Sequence, residues 1–135
     1  MLKYTEEKIF TQEQVQQLFL SVNWVSGNYP KRLYKALMNS STVLTVWDDD
    51  FLVGLLRVLD DTEMLAQIHY VLVHPDYQGK GIASKMLEYI KEKYKNFMYL
   101  EVMPEDKKNA EFYRKNGFSI MENGIAMQIC NNIHE

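Results

Sequence analysis

The chain has 135 residues, of which 47% are hydrophobic and 24% are charged, and its formal net charge is −3. These values are typical of one globular domain, which we assign to residues 1–135. The acidic balance, with no continuous basic face, argues against nucleic acid as a partner. No apolar run approaches the ~20 residues that cross a bilayer, so no membrane partner is expected either.

The two ends of the sequence suggest neither a secreted protein nor a cysteine-based site. The opening residues MLKYTEEKIF lack the basic start and apolar run of a signal peptide, so we expect a cytoplasmic protein. The only cysteine is Cys130, which excludes a disulfide framework and makes a thiolate metal site improbable. No metal site is predicted.

The first part of the chain predicts a strand and two helices. Residues 2–9 alternate loosely and predict an edge strand. Thr11 and Gln14 have the spacing of a capping box, and helical periodicity follows over residues 12–22. Pro30 suits the first turn of a second helix, which ends near Asn39.

Three strands follow. Residues 42–47 and 51–59 surround an acidic turn and predict a β-hairpin, and residues 64–73 follow a second acidic turn. The strand over residues 51–59 is so apolar that both of its faces are expected to be covered. The three strands therefore predict an antiparallel meander.

The last part predicts a crossover and a hairpin. An amphipathic helix begins near Ile82, and a strand over residues 97–102 follows it, which makes this strand parallel to the one over residues 64–73. A helix capped by Asp106 then runs to Asn116, with Gly117 at its end. Residues 118–121 and 125–129 predict a final hairpin.

A glycine-rich turn joins the strand over residues 64–73 to the following helix. It reads Gln78-Gly79-Lys80-Gly81-Ile82-Ala83, which fits neither the dinucleotide fingerprint nor the P-loop pattern. Small residues here allow close backbone approach, and the N–H groups of the first helical turn can hold a phosphate. A tight turn with glycines for conformation alone is the alternative.

Two blocks of this sequence resemble the GCN5-related N-acetyltransferase (GNAT) family. Gln78, Gly81 and Ala83 fit its Q/R-x-x-G-x-G/A signature, and the block NAEFYRKNGF over residues 109–118 is similar to its second signature. The resemblance covers almost the whole chain and is nearest to compact bacterial members. It implies an α/β (α+β) fold: a mixed, mostly antiparallel sheet of about six to seven strands with flanking helices and a splayed parallel strand pair.

The resemblance also implies acetyl-CoA (coenzyme A) as the cofactor. Its pantetheine would pair with main-chain groups of the strand before the glycine turn, and its pyrophosphate would lie over the turn and the helix start. The cofactor-binding residues that follow are Val71, Leu72, Val73, Gln78, Gly79, Lys80, Gly81, Ile82, Ala83, Ser84, Asn109 and Phe112.

Tyr113 is the catalytic residue that the resemblance implies. A phenol near the sulfur would protonate the departing thiolate as general acid, and the N–H of Val73 would support the developing oxyanion. A core aromatic is the alternative for Tyr113, although Phe112 beside it could fill that role, since neighbouring helical side chains point about 100° apart.

The base that deprotonates the amine is left open. Gln67 and His69 share one strand face before the glycine turn, and His69 or a water are the candidates, although a strand histidine is more often a packed residue.

The acceptor side is equally open. Trp24, Tyr29 and Tyr34 are candidates for the wall of the acceptor site or for the core. The acidic turns at residues 48–50 and 60–63 either steer a cationic amine or are solvated tips.

The expected function is direct transfer of an acetyl group to a primary amine of a small molecule. The alternatives are a noncatalytic acyl-CoA-binding module and an acetyltransferase acting on a protein amine. Homodimers are common in the family, and the C-terminal hairpin is a candidate contact.

Overall fold

The computed structural model describes residues 1–131, which form a five-stranded sheet with helices on both faces. The strands are Leu2–Thr5 (β1), Thr42–Asp48 (β2), Phe51–Asp60 (β3), Leu65–Val73 (β4) and Tyr99–Val102 (β5). The helices are Gln12–Ser21 (α1), Pro30–Met38 (α2), Ile82–Lys93 (α3) and Lys107–Lys115 (α4). Short 3-10 turns at Val25–Asn28 and Pro75–Tyr77 precede α2 and α3.

The sheet is antiparallel except at one edge. Its order is β1-β2-β3-β4-β5, and only β4 and β5 run parallel. The parallel pairing runs from Leu65 opposite Tyr99 to Ile68 opposite Val102, and it ends there. Residues 69–73 of β4 therefore have β3 on one side and an open edge on the other. The predicted meander and the splayed parallel pair are confirmed.

Helices cover the sheet with two separate cores. α3 and α4 contribute Met86, Ile90 and Tyr113 to one cluster, which includes Ile68 and Val73 of β4. α1 and α2 form the other cluster with side chains from the opposite face of the sheet, including Leu55 of β3 and Leu72 of β4. Because both faces are covered, β3 is apolar almost throughout, as its sequence predicts.

Local signals set the helix ends. The side chain of Thr11 accepts from the N–H of Gln14, and the side chain of Gln14 accepts from the N–H of Thr11, so α1 begins with the predicted capping box. Asp106 accepts from the N–H of Asn109 at the start of α4. Gly117, with φ of +95°, ends that helix.

The predicted C-terminal hairpin is wrong. Residues 118–131 contain no strand, so the described sheet has five strands rather than six to seven, and β1 is shorter than predicted. Ile125, Met127 and Ile129 alternate as a strand would, but each is 85–89% exposed. Alternation alone does not form a strand, because a hairpin in water also needs a packed face or further pairing. No helix among residues 1–131 is long and apolar enough to span a membrane.

Candidate active site

The glycine turn between β4 and α3 has a backbone that only glycine adopts easily. Gly79 and Gly81 have φ of +79° and +81°, in the left-handed region where a side chain costs about 1–2 kcal/mol. A Cβ atom at either position would meet no heavy atom within 4 Å. The glycines therefore serve backbone conformation, and the space in front of them is open.

A cavity of about 290 Å³ lies against this turn. Gly81 caps α3 without a side-chain acceptor, so the first N–H groups of the helix keep their capacity to bind an anion. Most of the predicted cofactor-binding residues line this cavity: Val73, Gln78, Gly79, Gly81, Ile82, Ala83, Ser84 and Phe112, with Tyr77 in addition.

Lys80 and Asn109 do not line the cavity. The Lys80 ammonium lies 5.2 Å from the centre of the Tyr77 ring, so its charge stays beside the turn. Asn109 is exposed in the first turn of α4, where its N–H is bound to Asp106. Their predicted cofactor contacts stay predictions.

The main chain of β4 presents its free groups at alternate residues. The N–H of His74 donates to the carbonyl of Val53 in β3, at 2.8 Å, while Gln78 Nε2 donates to the carbonyl of Val73 from the other side, at 2.9 Å. Since main-chain groups alternate along a strand, Val71 and Val73 face the open edge and Leu72 faces β3. Val71 and the N–H of Val73 are therefore the groups that a pantetheine strand can reach, and Leu72 contributes packing instead.

Tyr113 is 9% exposed and belongs to the same cluster as Val73 and Ile82. The rings of Phe112 and Phe118 lie 5.2 and 5.6 Å from its ring, centre to centre. Burial raises the pKa of Tyr113 to about 12, so the phenol keeps its proton at neutral pH.

The hydroxyl of Tyr113 makes no hydrogen bond within residues 1–131. No buried side-chain polar atom in that range lacks a partner, so this hydroxyl reaches accessible space. Tyr113 thus packs in the core through its ring and keeps an accessible hydroxyl.

A β-bulge in β4 marks the place where the parallel pair ends. Arg57 of β3 pairs with Tyr70 and Val58 pairs with Ile68, so His69 is the extra residue. The bulge brings the rings of His69 and Tyr70 to 4.3 Å, centre to centre. Tyr70 packs with the α1 and α2 cluster, so both side chains face the helices α1 and α2.

His69 is held in a state that does not suit a base. Arg57 lies with a terminal guanidinium nitrogen 2.8 Å from His69 Nδ1. A guanidinium only donates, so Nδ1 must accept, and the proton of the neutral ring sits on Nε2. Partial desolvation and then the charge of Arg57 lower the pKa of His69 below its usual 6.5. The ring is neutral at pH 7, but its one lone pair is already used.

A second cavity, of about 500 Å³, opens beside Tyr70. It lies between α2, the 3-10 turn before it, and β4, and the lining residues are Ser26, Tyr29, Arg32, Leu33, Lys35, Ala36, Asn39 and Tyr70. The Tyr70 hydroxyl is 2.7 Å from Ser26 Oγ, which fixes the ring as one wall. The cavity is therefore mostly tyrosine and aliphatic surface with two cations at the helix side.

The predicted acceptor residues divide between this cavity and the core. Tyr29 lines the cavity. Trp24 and Tyr34 pack instead against the α1 and α2 cluster, where Trp24 lies 5.8 Å from Phe19 and Tyr34 lies 6.1 Å from Phe10, between ring centres. The acidic turns contribute no side chain to the cavity, and Asp61 instead accepts three backbone N–H groups of its own turn. Cys130 lines neither cavity.

Two residues of the acceptor side were not predicted. Tyr70 reaches the cavity face because of the bulge, which leaves no signal in sequence periodicity. Arg57 did leave a signal, because it is the one charged residue in the apolar stretch of residues 51–59. A charged side chain in a strand that is covered on both faces is rarely found without a specific partner or role.

The chain matches the sequence profile of the Acetyltransferase (GNAT) family over residues 9–118. It is 31% identical over 116 residues to an uncharacterized ycf52-like N-acetyltransferase of Prochlorococcus marinus, covering 82% of this chain and 64% of that relative. The chain thus spans a little under two thirds of that relative's length.

Two solved structures share the fold over nearly their whole length. A GNAT-family acetyltransferase from Streptococcus pneumoniae TIGR4 has a TM-score of 0.83 and 27% identity, covering 98% of this chain and 100% of that one. A probable acetyltransferase from meticillin-resistant Staphylococcus aureus has a TM-score of 0.84 and 29% identity, with 96% and 99% covered.

Proposed function

Because this chain belongs to the GNAT family of acetyltransferases, we propose that it transfers the acetyl group of acetyl-CoA directly to a primary amine of a small molecule. One observation carries the proposal: the glycine cavity lies beside the open edge of β4, and Tyr113 packs in one cluster with Val73 and Ile82, which line that cavity. Acetyl-CoA supplies an activated thioester when it is bound.

The residues present fit that cofactor. The open space in front of Gly79 and Gly81, beside the uncapped start of α3, suits a pyrophosphate. Val71 and the N–H of Val73 offer free main-chain groups to a ligand that lies along β4 as a short strand would. Phe112 closes the cavity from the side of α4.

Two groups perform the chemistry that we propose. Tyr113 donates its phenolic proton to the leaving sulfur, and its raised pKa keeps that proton in place at neutral pH. The N–H of Val73, on the open edge of β4, supports the oxygen on which charge develops. Since the lone pair of His69 is taken by Arg57, the amine proton leaves through water.

The concave acceptor side supports a small molecule. The 500 Å³ cavity is within the range of small-ligand sites, and its Tyr29 and Tyr70 walls would surround a compact acceptor. A protein amine on a flexible segment would be better served by an open groove.

The test combines cofactor binding with catalysis. We expect acetyl-CoA to raise the melting temperature well above the effect of free adenine, and thiol release to appear with an accepting amine. Replacing Tyr113 with Phe should lower kcat by about a hundredfold with little change in acetyl-CoA binding. Tyr99→Phe is the matched control, because Tyr99 is 50% exposed and lines neither cavity. An unchanged rate in Tyr113→Phe from pH 6 to 9 would remove Tyr113 from the mechanism.

The second candidate is a noncatalytic acyl-CoA-binding module. The engaged lone pair of His69 favours it, since the side chain predicted as the candidate base is already bound to Arg57. It predicts full stabilisation by acetyl-CoA and no thiol release with any amine, whereas the enzyme predicts both.

A further inference from the structure

We propose that the acceptor amine also carries an anionic group, a carboxylate or a phosphate, which binds to Lys35 of the cavity between α2 and β4 and to Arg57, which packs on the Tyr70 wall of that cavity. This inference rests on the proposed function, since it names the class of acceptor for the same transfer. It concerns the end of the acceptor that does not react.

The charged residues that line the cavity, within the part of the chain that the structure describes, are both cations. Arg32 and Lys35 lie one helical turn apart on α2, so both face the same side, and both line the cavity. No aspartate or glutamate of residues 1–131 is among the lining residues. The molecule as a whole carries a net charge of −3, so this positive lining is a local feature.

Arg57 adds a third cation, which is partly buried and held by side-chain contacts. Its side chain is half-buried on β3, its guanidinium carbon lies 5.5 Å from the centre of the Tyr70 ring, and its Nε donates to Ser40 Oγ at 2.8 Å. Its terminal nitrogen contacts His69 Nδ1, which is neutral. Among residues 1–131, no carboxylate lies within 4.0 Å of this guanidinium.

A half-buried cation without a counter-charge is costly to keep. Burial also lowers the pKa of Arg57, which is the expected consequence of that cost. Ser40 cannot relieve it, since its hydroxyl donates to the carbonyl of Ala36 and offers Arg57 only a neutral oxygen. An anion from the acceptor would supply the missing charge and could bind the free guanidinium N–H groups in the planar, paired geometry that arginine favours.

Lys35 and Arg57 lie toward the same end of the cavity, whereas Arg32 lies in the first turn of α2. Lys35 lies in the last turn of α2, and Arg57 extends from β3 toward Ser40 just beyond that helix. Tyr70, in contrast, lies at the point of β4 where β5 diverges, next to the open edge assigned to the thioester. Since Arg57 packs over one side of the Tyr70 ring, the anionic group binds between Arg57 and Lys35, toward the C-terminal end of α2, and the amine lies beyond Tyr70, toward the open edge of β4.

A cationic acceptor finds no matching groups here. The carboxylates of residues 48–50 and 60–63 lie in the turns at the ends of β3, and none lines the cavity. A diamine would therefore place its second ammonium beside two or three cations, which is repulsive.

The experiment compares acceptors that differ only at the end away from the amine. One series is β-alanine, β-alaninamide and 1,3-diaminopropane, and the other is ethanolamine phosphate and ethanolamine. We expect kcat/KM to be at least about tenfold higher for an anionic member than for its neutral partner, and lowest for the diamine. The two series distinguish a carboxylate from a phosphate. Equal or better use of the neutral or dicationic acceptors overturns the proposal.

Charge-changing variants locate the effect. Lys35→Glu should reduce the preference for the anionic acceptor by about tenfold, and Arg57→Gln should reduce it further, while Arg57→Lys retains part of it. Lys31→Glu is the matched control, because Lys31 is exposed on the same helix, does not line the cavity and undergoes the same charge change. If Arg57→Gln does not fold, the test is the comparison of Lys35→Glu with Lys31→Glu, in which only Lys35→Glu should reduce the preference for the anionic acceptor. Equal effects of those two substitutions would assign the preference to the overall field of the protein and contradict the site.

A binding measurement separates this proposal from the proposed function. Calorimetric titration of the same acceptors into protein saturated with coenzyme A needs no transfer. If only the anionic members bind in this titration, and none of the acceptors releases thiol from acetyl-CoA in the rate assay, the anion site is supported and the enzyme is refuted. Transfer to neutral amines, with no preference for anions, would support the enzyme and refute the anion site.

Discussion

The chemistry open to a single side chain in this protein depends on which of its polar atoms its neighbours leave without a hydrogen bond. Tyr113 has a buried ring and an accessible hydroxyl, so it can pack and also donate a proton. His69 shows the opposite case, since the ring nitrogen that could accept a proton already accepts from Arg57. Without the guanidinium of Arg57, the lone pair of His69 Nδ1 would be available to accept a proton.

His69 gives a prediction at this scale. His69→Gln should leave kcat/KM within about threefold of the unsubstituted protein, because Gln also offers an acceptor to Arg57 and no proton transfer is lost. The pKa of His69 lies below 6.5, so its charge changes only as the pH falls through the acidic range. We therefore expect the pH–rate profiles of the two proteins to coincide from pH 7 to 9.

The measurement is kcat/KM against pH for both proteins with one acceptor. A loss of a hundredfold or more, with disappearance of the acidic limb of the profile, would make His69 the base. Circular dichroism and melting temperature serve as the folding control.

At the scale of elements, the site is made by the connection between β4 and α3 and by the end of β5. Parallel pairing stops at Ile68 and Val102, and the bulge at His69 turns Tyr70 toward α2. One irregular strand thus presents its edge to the cofactor side and its side chains to the acceptor side. This division explains why the two cavities lie on opposite faces of the same strand.

At the level of elements, the glycine turn predicts how a substitution at Gly81 changes stability and coenzyme A binding. Gly81→Ala should lower the free energy of unfolding by about 1 kcal/mol, because alanine is strained at φ of +81°, and should weaken binding of coenzyme A as the turn shifts. Gly117→Ala is the control: it also places alanine at positive φ, +95°, at the end of α4 and outside both cavities.

Thermal melts with and without coenzyme A separate the two effects. Both variants should melt lower than the unsubstituted protein. Only Gly81→Ala should show a reduced ligand-induced rise, and an equal rise in both variants would mean that the turn does not hold the pyrophosphate.

At the scale of the whole molecule, one edge of the sheet and the C-terminal segment both present apolar surface. β5 is the edge strand, with Tyr99 and the flanking Met98 and Met103 50–65% exposed. Ile125 and Ile129 are still more exposed in a segment with no regular structure. An edge strand with free backbone groups is able to pair with another chain.

The homodimer expected from the resemblance therefore has a testable form. We expect sedimentation to show a concentration-dependent dimer, and a double substitution, Ile125→Ser with Ile129→Ser, to shift it toward monomer by removing apolar surface. The matched control is Ser119→Ala, at an exposed position of the same segment. A monomer at all concentrations, or a dimer unaffected by the double substitution, would contradict this arrangement.

Much of the fold could be predicted because its signals are local. The capping box at Thr11, the proline start of α2, the amphipathic spacing of α3 and the acidic turns around β3 each depend on residues a few positions apart. The C-terminal hairpin shows the limit of that method. Its alternating pattern is real, but a strand forms only where a partner edge is available, and pattern alone does not supply one.

The residues of the proposed donor side could be predicted from the order of residues alone. The glycine turn and the block at residues 109–118 are contiguous motifs, because a pyrophosphate is held by consecutive backbone N–H groups. The residues of the proposed acceptor side, in contrast, come together only in the folded chain. Tyr70 and Arg32 are far apart in sequence but line the same cavity, and the bulge in β4 turns Tyr70 toward it, where Arg57 packs on the ring. The charge that an acceptor meets depends on that meeting in space, which the order of residues does not reveal.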